Sequence, residues 1–340
     1  MSPPTSDPPA ATSAHVRGLP PLSRLGLGAW AFGRTGWGDQ DDRDSRAAVL
    51  RAVELGVNWI DTAAVYGDGH SERLIGRTLA ELPQADRPLV FTKGGVRIER
   101  GGGKTFRDLS PASLRRECDG SLQRLGVERI DLYQLHWPVA HEDTVATAWA
   151  TLGELRSAGK IRCAGVSNFE LALLERCAAI GPIDAVQLPL SLLTRAVGAS
   201  VLPWTAERRA RALVYSPLES GLLSGRFSAQ RLRSLDSDDW RGSRKQFQQP
   251  RVGQALGLVE RLRPVAADLQ TTVAQLAIAW TLTWPGVSAA IVGARSADQI
   301  DGLIGAAQLV LDEAARDRVR AALLETGAGE GPIDPPRNGA

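Results

Sequence analysis

The sequence predicts an α/β protein built from parallel βαβ units, and three observations support this fold class. Short apolar runs alternate with segments whose apolar residues recur at helical spacing. These runs are apolar along most of their length, as expected for parallel strands that helices cover on both faces. No charge run or long linker divides the 340 residues, so a single domain is predicted. The pattern alone fits either a doubly wound sheet or a closed barrel.

The individual elements follow from apolar periodicity and from helix start and stop signals. The first helical segment ends at Gly56, a residue type that commonly ends helices. Ser110 and Pro111 occupy the cap and the first position of the helix that Gly126 ends. Strands are predicted at residues 57–61, 89–93, 130–136, 161–166, 185–187, 213–216, 289–292 and 308–311. Helices are predicted at residues 44–55, 71–82, 110–125, 143–158, 170–179, 254–269, 271–282, 298–303 and 312–324.

The two chain ends and one internal segment are predicted to lie outside this regular pattern. Residues 1–17 begin rich in Pro, Ser and Thr and lack the features of a signal peptide, which predicts a disordered tail. Residues 328–340 are predicted to form a flexible C-terminal tail, which leaves residues 18–327 for the folded domain. The irregular segment 224–251 is long for a connection inside a domain and predicts a lid or a binding loop.

Composition excludes several classes of function. The net charge is +2 with acids and bases interspersed, so neither a nucleic-acid tract nor a membrane-surface patch is predicted. The uncharged stretch 269–294 is broken by Pro285 and Gly286, which favours a buried helix followed by a buried strand over a membrane span. The three cysteines have no metal-ligand spacing and are interpreted as reduced residues of a cytoplasmic protein without a metal site.

Several predicted strands end in polar or ionisable side chains. In a parallel barrel such ends converge on the face where barrel enzymes carry out chemistry. An unpaired buried lysine is costly, so Lys93 needs an acid nearby, and Asp61 on the neighbouring strand is the obvious one. Taken singly, Asp61 also fits the cap of a turn, and His136 fits a core histidine. The strand-end residues are Asp61, Lys93, His136, Ser167, Asn168, Gln187, Tyr215, Ser216, Gly293 and Arg295.

Read jointly, these groups suggest proton transfer to a carbonyl oxygen. Tyr66 lies five residues beyond Asp61, within reach of Lys93. A free tyrosine titrates near pH ~10, and a close ammonium lowers that pKa because it favours the phenolate. Asp61 would keep Lys93 charged, and His136 could hydrogen-bond the carbonyl oxygen. Such a group could polarise a C=O bond and protonate it as a hydride arrives.

The order of short motifs along the chain resembles the aldo-keto reductase superfamily, in its bacterial type, from about residue 25 to residue 311. Each motif alone is modest evidence, whereas their order along the chain is highly specific. The motifs are GLGAW at 26–30, IDTAAVYG at 60–67, GHSER at 69–73, TK at 92–93, DLYQLHW at 131–137, GVSNF at 165–169, YSPL at 215–218, GLLSG at 221–225 and GARS at 293–296. A dinucleotide fingerprint at Gly26 and Gly28 is rejected, because the glycine-rich segment that follows is not helical.

The resemblance implies a single (β/α)8 TIM barrel that binds NADP(H), with NAD possible, across the barrel mouth. It implies the catalytic residues Asp61, Tyr66, Lys93 and His136, with Tyr66 as the general acid–base and Trp30 lining the substrate pocket. It places Ser167, Asn168 and Gln187 at the nicotinamide amide, and Arg295 at the 2′-phosphate. Further cofactor-binding residues implied by the resemblance are Tyr215, Ser216, Leu218, Gly221, Leu223, Arg226, Gly293 and Gln299.

The resemblance implies reduction of aldehyde or ketone carbonyls, or the reverse reaction. Two alternatives remain open: a sugar or polyol dehydrogenase with the same fold, and a cofactor-binding regulatory subunit with little turnover. One departure bears on the cofactor. Where the family usually has Glu-Asn near the adenine, this chain has Gly302 and Leu303, so weaker or altered adenine binding is expected.

Overall fold

Eight parallel strands close into a barrel in the computed structural model, which describes residues 13–34, 40–99, 104–208, 210–235 and 239–334. Each strand pairs with its neighbours in the chain, and the last pairs with the first. This closure confirms the (β/α)8 barrel and excludes the doubly wound sheet. In chain order the strands are β1 (Leu25–Gly28), β2 (Trp59–Asp61), β3 (Leu89–Gly94), β4 (Ile130–Leu135), β5 (Ile161–Ser167), β6 (Ala185–Pro189), β7 (Arg211–Tyr215) and β8 (Val287–Gly293).

All the predicted helices occur, with ends shifted by at most three residues. Outside the segment 224–251, one α-helix of the described residues, Val201–Arg208, was not predicted, because Pro203 near its start reads as a helix breaker. The proline lies in the first turn, where no backbone N–H is needed for helical hydrogen bonds. The helices are α1 (Asp42–Glu54), α2 (His70–Ala80), α3 (Pro111–Leu125), α4 (Glu142–Ser157), α5 (Leu171–Ile180), α6 (Val201–Arg208), α7 (Ala229–Arg233), α8 (Arg251–Asp268), α9 (Val273–Thr281), α10 (Ala297–Ile304) and α11 (Glu313–Thr326).

The structure settles the interpretation of the uncharged segment and corrects that of the irregular one. The stretch 269–294 contains α9 and β8, as predicted, and among the described residues no helix is long and apolar enough to cross a membrane. The long segment 224–251 is partly helical rather than irregular throughout. It contains α7 and two 3₁₀ helices, Trp240–Ser243 and Lys245–Phe247.

A short N-terminal hairpin closes the barrel interior at the amino ends of the strands. Ser13–Ala14 pairs with Leu22–Ser23, and the buried Ala14 and Val16 pack in the same apolar cluster as Trp59 and Phe91. The prediction of a disordered tail is therefore wrong for residues 13–17. Burial of apolar surface orders this segment, a contribution that the polar composition of the preceding residues concealed. Residues 1–12 lie outside the described residues.

The C-terminal segment also packs on the barrel, which corrects the prediction of a flexible tail for residues 328–334. The buried guanidinium of Arg195 donates hydrogen bonds to the backbone carbonyls of Ala328 and Pro332 at 3.2 and 3.0 Å. The Arg195 backbone N–H donates to the Glu330 carbonyl at 2.8 Å. Such hydrogen bonds satisfy a cation that would otherwise be costly to bury. Residues 335–340 lie outside the described residues.

The strand predicted at residues 308–311 is wrong, and β1 takes its place in the ring. Val310 is exposed, and no strand includes residues 308–311. β1 was not predicted because it contains Gly26 and Gly28, and glycine has a low β propensity. Both glycines are nevertheless required by packing. A Cβ on Gly26 would lie 2.3 Å from the Trp59 ring, and one on Gly28 would lie 2.8 Å from an Ile291 methyl carbon.

The contact between Gly26 and Trp59 gives a stability prediction. Gly26→Ala is expected to lower the free energy of unfolding by about 1–3 kcal/mol, because the indole ring has to move within a filled barrel. Urea unfolding measures the change. The control is Gly153→Ala on α4, where a Cβ meets no atom within 4 Å and alanine favours the helix. Equal stability of the two variants would show that the barrel interior accommodates the added methyl group.

Candidate active site

An ion pair between Lys93 and Asp61 lies at the carboxyl ends of β3 and β2. Both side chains are buried, and the distance from Lys93 Nζ to Asp61 Oδ1 is 2.5 Å. Lys93 Nζ also donates to the Thr62 carbonyl at 3.0 Å, and Gln187 Nε2 donates to Asp61 Oδ2 at 2.7 Å. Each buried charge therefore has an opposite charge and an additional hydrogen bond, the conditions under which buried ions are tolerated.

Tyr66 and His136 lie beside this ion pair. Lys93 Nζ is 5.4 Å from the centre of the Tyr66 ring. The Tyr66 and His136 rings meet edge to face, with centroids 5.7 Å apart. Gly67 and Gly33 hold the turn that carries Tyr66 close to the loop after β1, since a Cβ on Gly67 would lie 2.5 Å from the Gly33 carbonyl oxygen. The structure thus brings together all four residues that the sequence grouped at the barrel mouth.

Burial determines the protonation of this cluster. It raises the pKa of Tyr66 well above its ordinary value, and the nearby Asp61 charge adds to that shift. Burial lowers the pKa of Lys93, against the opposing effect of Asp61. It lowers the pKa of His136 well below its ordinary value, with a further contribution from the Lys93 charge, so His136 is neutral at pH ~7. The expected lowering of the Tyr66 pKa is wrong for this structure, because burial of the phenol outweighs the effect of Lys93 and the Asp61 charge adds to the rise.

Asn168 and Tyr215 form a hydrogen-bonded wall next to the cluster. Asn168 adopts a left-handed backbone conformation, and its Oδ1 accepts a hydrogen bond of 2.7 Å from the Tyr215 hydroxyl. Its Nδ2 donates to the His136 carbonyl at 3.1 Å and to Ser167 Oγ at 3.0 Å. Gln187 points its amide nitrogen at Asp61 instead, so its main contact belongs to the ion pair. The predicted nicotinamide-amide residues therefore lie beside the ion pair and His136 at the barrel mouth.

The loop after β7 has an unusual backbone that one partly buried carboxylate holds in place. Ser216, Glu219 and Ser220 have positive φ angles of 56°, 46° and 54°. Such angles are strained for residues other than glycine and persist where neighbouring structure fixes them. The Glu219 carboxylate accepts hydrogen bonds from the hydroxyls of Ser191 at 2.7 Å and Thr194 at 3.2 Å. Glu219, which the sequence reading missed, therefore anchors the loop.

The side chains of this loop differ in what they can contact. Leu223 is fully buried, whereas Leu218 is partly buried and packs against the core. A Cβ on Gly221 would meet no atom within 4 Å, and Arg226 is exposed. The loop therefore presents mainly backbone groups to the barrel mouth.

Arg295 follows β8, beside the open surface at Gly293. The Arg295 Nε donates to Gln40 Oε1 at 2.6 Å, and the Arg295 backbone N–H donates to Gln299 Oε1 at 2.8 Å. Gly293 is exposed, and a Cβ at this position would meet no atom within 4 Å. At the departure from the family pattern, the Leu303 side chain packs in the core and cannot serve as a polar ligand. Gln40 was not identified from the sequence.

Aromatic side chains line one wall of the mouth. The centroid of the Trp30 ring is 5.1 Å from that of Trp240 and 6.4 Å from that of Tyr66. The Arg244 guanidinium lies 5.0 Å from the Trp240 ring centre. Asp239 and Arg241 form a largely buried ion pair next to Trp240, with a distance of 2.6 Å. Trp240 therefore packs against Trp30, which lies beside Tyr66.

Comparison with known proteins identifies the family. The family model described as "Aldo/keto reductase family" matches residues 24–323. This chain is an aldo/keto reductase.

Similar proteins extend over most of the chain. This aldo/keto reductase is 35% identical to the aldo-keto reductase YhdN of Bacillus subtilis, over 83% of this chain and 84% of the relative. It is 34% identical to an NADH-specific methylglyoxal reductase of Escherichia coli, over 86% and 92% of the two chains. Among solved structures, the glycerol dehydrogenase AKR11B4 from Gluconobacter oxydans superposes with a TM-score of 0.87 at 34% identity, covering 96% and 98%.

Two acids on α2 and α3, one buried and one partly buried, support the strand ends of this aldo/keto reductase. Glu72 on α2 accepts hydrogen bonds from Thr92, the neighbour of Lys93, and from Arg124, both at 2.6 Å. Glu117 on α3 accepts hydrogen bonds from the Gly95 backbone N–H and the Ser113 hydroxyl, both at 3.0 Å. Burial raises the pKa of Glu117 to about 7. The residues just after Lys93 are therefore held by a carboxyl group that titrates near neutral pH.

The raised pKa of Glu117 predicts a pH-dependent stability. The folded chain binds this proton up to pH ~7, whereas the unfolded chain releases it near pH ~4.3, so stability falls as pH rises between these values. The expected loss in the free energy of unfolding is on the order of 2 kcal/mol, and Glu117→Gln is expected to abolish it. Urea unfolding at pH 5 and pH 8 measures it, with Glu154→Gln at an exposed position on α4 as control. If Glu117→Gln and the unsubstituted protein show the same pH dependence of stability, Glu117 is not the group responsible for it.

Proposed function

We propose that this aldo/keto reductase reduces aldehyde or ketone carbonyls to alcohols with NADPH, with Tyr66 as the general acid. The observation that carries the proposal is the buried Lys93–Asp61 pair beside Tyr66 and His136 at the barrel mouth. Barrel enzymes carry their chemistry at the carboxyl ends of the strands, where all four residues lie. A structural role alone does not require a phenol, an ammonium and an imidazole around one pocket.

The donor set around the mouth fits a nicotinamide dinucleotide. Asn168 and Ser167 offer amide and hydroxyl groups, and Tyr215 offers an aromatic ring beside them. The loop after β7 offers backbone groups in an unusual conformation, and Arg295 offers a guanidinium suited to a phosphate dianion. The open surface at Gly221 and Gly293 leaves room for a ligand to approach the backbone. When bound, the cofactor supplies a hydride to the carbonyl carbon.

The residues of the chain supply the proton and the electrostatic stabilisation. As the carbonyl carbon gains the hydride, the electron pair of its π bond moves to oxygen, which takes the proton from the Tyr66 hydroxyl. The Lys93 ammonium stabilises the phenolate left on Tyr66, and Asp61 keeps Lys93 charged against the effect of burial. His136, being neutral, donates a hydrogen bond to the carbonyl oxygen. Trp30 and Trp240 offer an apolar surface for the substrate beside Tyr66.

A polyol dehydrogenase is the second candidate, and the similarity to the glycerol dehydrogenase favours it. The same groups then act in reverse, with Tyr66 as the base that removes the alcohol proton. A regulatory subunit with little turnover is disfavoured, because all four catalytic positions carry the residues that the chemistry requires.

A substrate panel tests the proposal. Purified protein is assayed with aldehydes and ketones plus NADPH or NADH, and with glycerol and sugars plus NADP or NAD. The proposal expects carbonyl-dependent oxidation of the reduced cofactor, faster with NADPH than with NADH. Faster reaction with polyols would favour the dehydrogenase. Tight NADPH binding without turnover of any substrate would favour the regulatory subunit.

A further inference from the structure

Gln40 is a buried amide whose two ends both contact Arg295. Its Oε1 accepts a hydrogen bond from Arg295 Nε at 2.6 Å, and its Nε2 donates to the Arg295 carbonyl at 2.9 Å. Only 3% of Gln40 is exposed. The contact joins the start of α1 to the end of β8, across 255 positions of sequence. One side chain thus fixes both the backbone and the guanidinium of Arg295.

Gln40 is itself held in place from the helix side. Its Nε2 donates to Ser45 Oγ at 2.9 Å, and Ser45 is fully buried on α1. The carboxylate of the next residue, Asp41, caps α1 and pairs with Arg43. The amide therefore has little freedom to leave Arg295.

The type of residue at position 40 matters for charge. A glutamine orients a guanidinium without neutralising it, whereas a carboxylate at the same place would form an ion pair with it. Arg295 lies at the carboxyl end of β8, next to the N-terminus of α10, and its guanidinium is protonated at all ordinary pH values. The loops after the last two strands of a barrel, with a following helix N-terminus, are a common phosphate site.

We propose that Gln40 is a positioning residue that sets the preference for NADPH over NADH, by fixing the Arg295 guanidinium as the partner of the 2′-phosphate. The inference rests on the proposed function, because it requires a nicotinamide cofactor at the barrel mouth. It concerns the adenosine end of that cofactor, which takes no part in the chemistry at Tyr66. Gln40 therefore acts on cofactor affinity and not on the hydride transfer step.

Equilibrium binding of NADPH and NADH, followed by nucleotide fluorescence, tests the inference without any turnover. Gln40→Met keeps the length of the side chain and removes its hydrogen bonds. It is expected to weaken NADPH binding about 10-fold, as for loss of a hydrogen bond to a charged group, and to change NADH binding less than about two-fold. Gln40→Glu is expected to weaken NADPH binding about 100-fold, because the carboxylate pairs with Arg295 and repels the phosphate.

Two further variants separate positioning from general structure. Gln275→Met removes an amide that donates to the Gly302 carbonyl of α10 without touching Arg295, and it is expected to leave both affinities unchanged. Adding Gln40→Met to Arg295→Leu is expected to cause no further loss of NADPH affinity, because the amide acts only through the guanidinium. In steady-state kinetics, Gln40→Met is expected to raise KM for NADPH with kcat unchanged.

The outcomes distinguish failure of this inference from failure of the proposed function. The inference would be overturned if Gln40→Met and Gln40→Glu each weakened NADPH and NADH binding equally. It would also be overturned if both variants bound NADPH as tightly as the unsubstituted protein. If Gln40→Met does not fold, as judged by thermal unfolding, the near-isosteric Gln40→Glu decides alone. An unsubstituted protein that binds neither nucleotide would remove the proposed function and this inference together.

Discussion

Tyr66→Phe is expected to lower kcat for carbonyl reduction by about 10²–10⁴-fold, the contribution typical of a general acid. The phenyl ring can keep the edge-to-face contact with His136 and the contact with Lys93, since both involve the ring. What the variant loses is the proton that the carbonyl oxygen takes as the hydride arrives. The substrate with the highest activity in the panel is used, with saturating NADPH and both initial rates and single turnovers measured.

Tyr133→Phe provides a matched control for this substitution. Tyr133 is a fully buried tyrosine on β4, and its hydroxyl has no hydrogen-bond partner among the described residues. Its loss is therefore expected to leave both kcat and stability nearly unchanged. Tyr66→Phe is further expected to bind NADPH as tightly as the unsubstituted protein. A kcat within a few-fold of the unsubstituted value would exclude Tyr66 as the proton donor.

Lys93→Met is expected to impair both stability and activity. It leaves the Asp61 carboxylate buried, with the Gln187 amide as its hydrogen-bond donor but without a positive charge. Removing one partner of a buried ion pair typically lowers the free energy of unfolding by about 3–5 kcal/mol, because the other charge stays buried without a compensating charge. The phenolate that forms on Tyr66 also loses its nearest cation, so kcat is expected to fall strongly.

The double variant Asp61→Asn/Lys93→Met separates the two effects. Removing both charges relieves the stranded carboxylate, so most of the lost free energy of unfolding is expected to return. Activity is not expected to return, because no ammonium stabilises the Tyr66 phenolate. Urea unfolding and initial rates of both variants measure these outcomes. A double variant as unstable as Lys93→Met would show that Lys93 stabilises the fold by packing and not by its charge.

The parts of the fold that could be predicted from sequence are those with local signals. The strands from β2 to β8 are apolar runs, and the helices carry caps and periodic apolar faces that need no tertiary contact to be recognised. β1 could not be found this way, because Gly26 and Gly28 are required by close contact with the Trp59 ring and the Ile291 side chain, which lie on other strands. The terminal segments were missed for the same reason, since Val16 and Ala328 are ordered by burial against distant parts of the barrel.

The candidate site shows the same division. Asp61, Lys93 and His136 could be grouped from sequence because parallel strands place their carboxyl ends together. Gln40 could not, because its significance depends on Arg295, which lies far away in the chain. The direction of the Tyr66 pKa shift also could not be predicted, because it depends on how deeply the phenol is buried and on how close the Asp61 charge lies.

In the proposed reaction this cluster delivers a proton while a hydride passes directly from a nicotinamide to a carbonyl carbon. The most direct measurement uses NADPH deuterated at C4 of the nicotinamide and mass spectrometry of the alcohol product. With the deuterium on the transferred face, the unsubstituted protein is expected to place one deuterium on the carbinol carbon, and Tyr66→Phe is expected to bind the same cofactor but form little labelled alcohol. Alcohol formed without deuterium from cofactor labelled on either face, or labelled alcohol formed equally fast by Tyr66→Phe, would contradict the account.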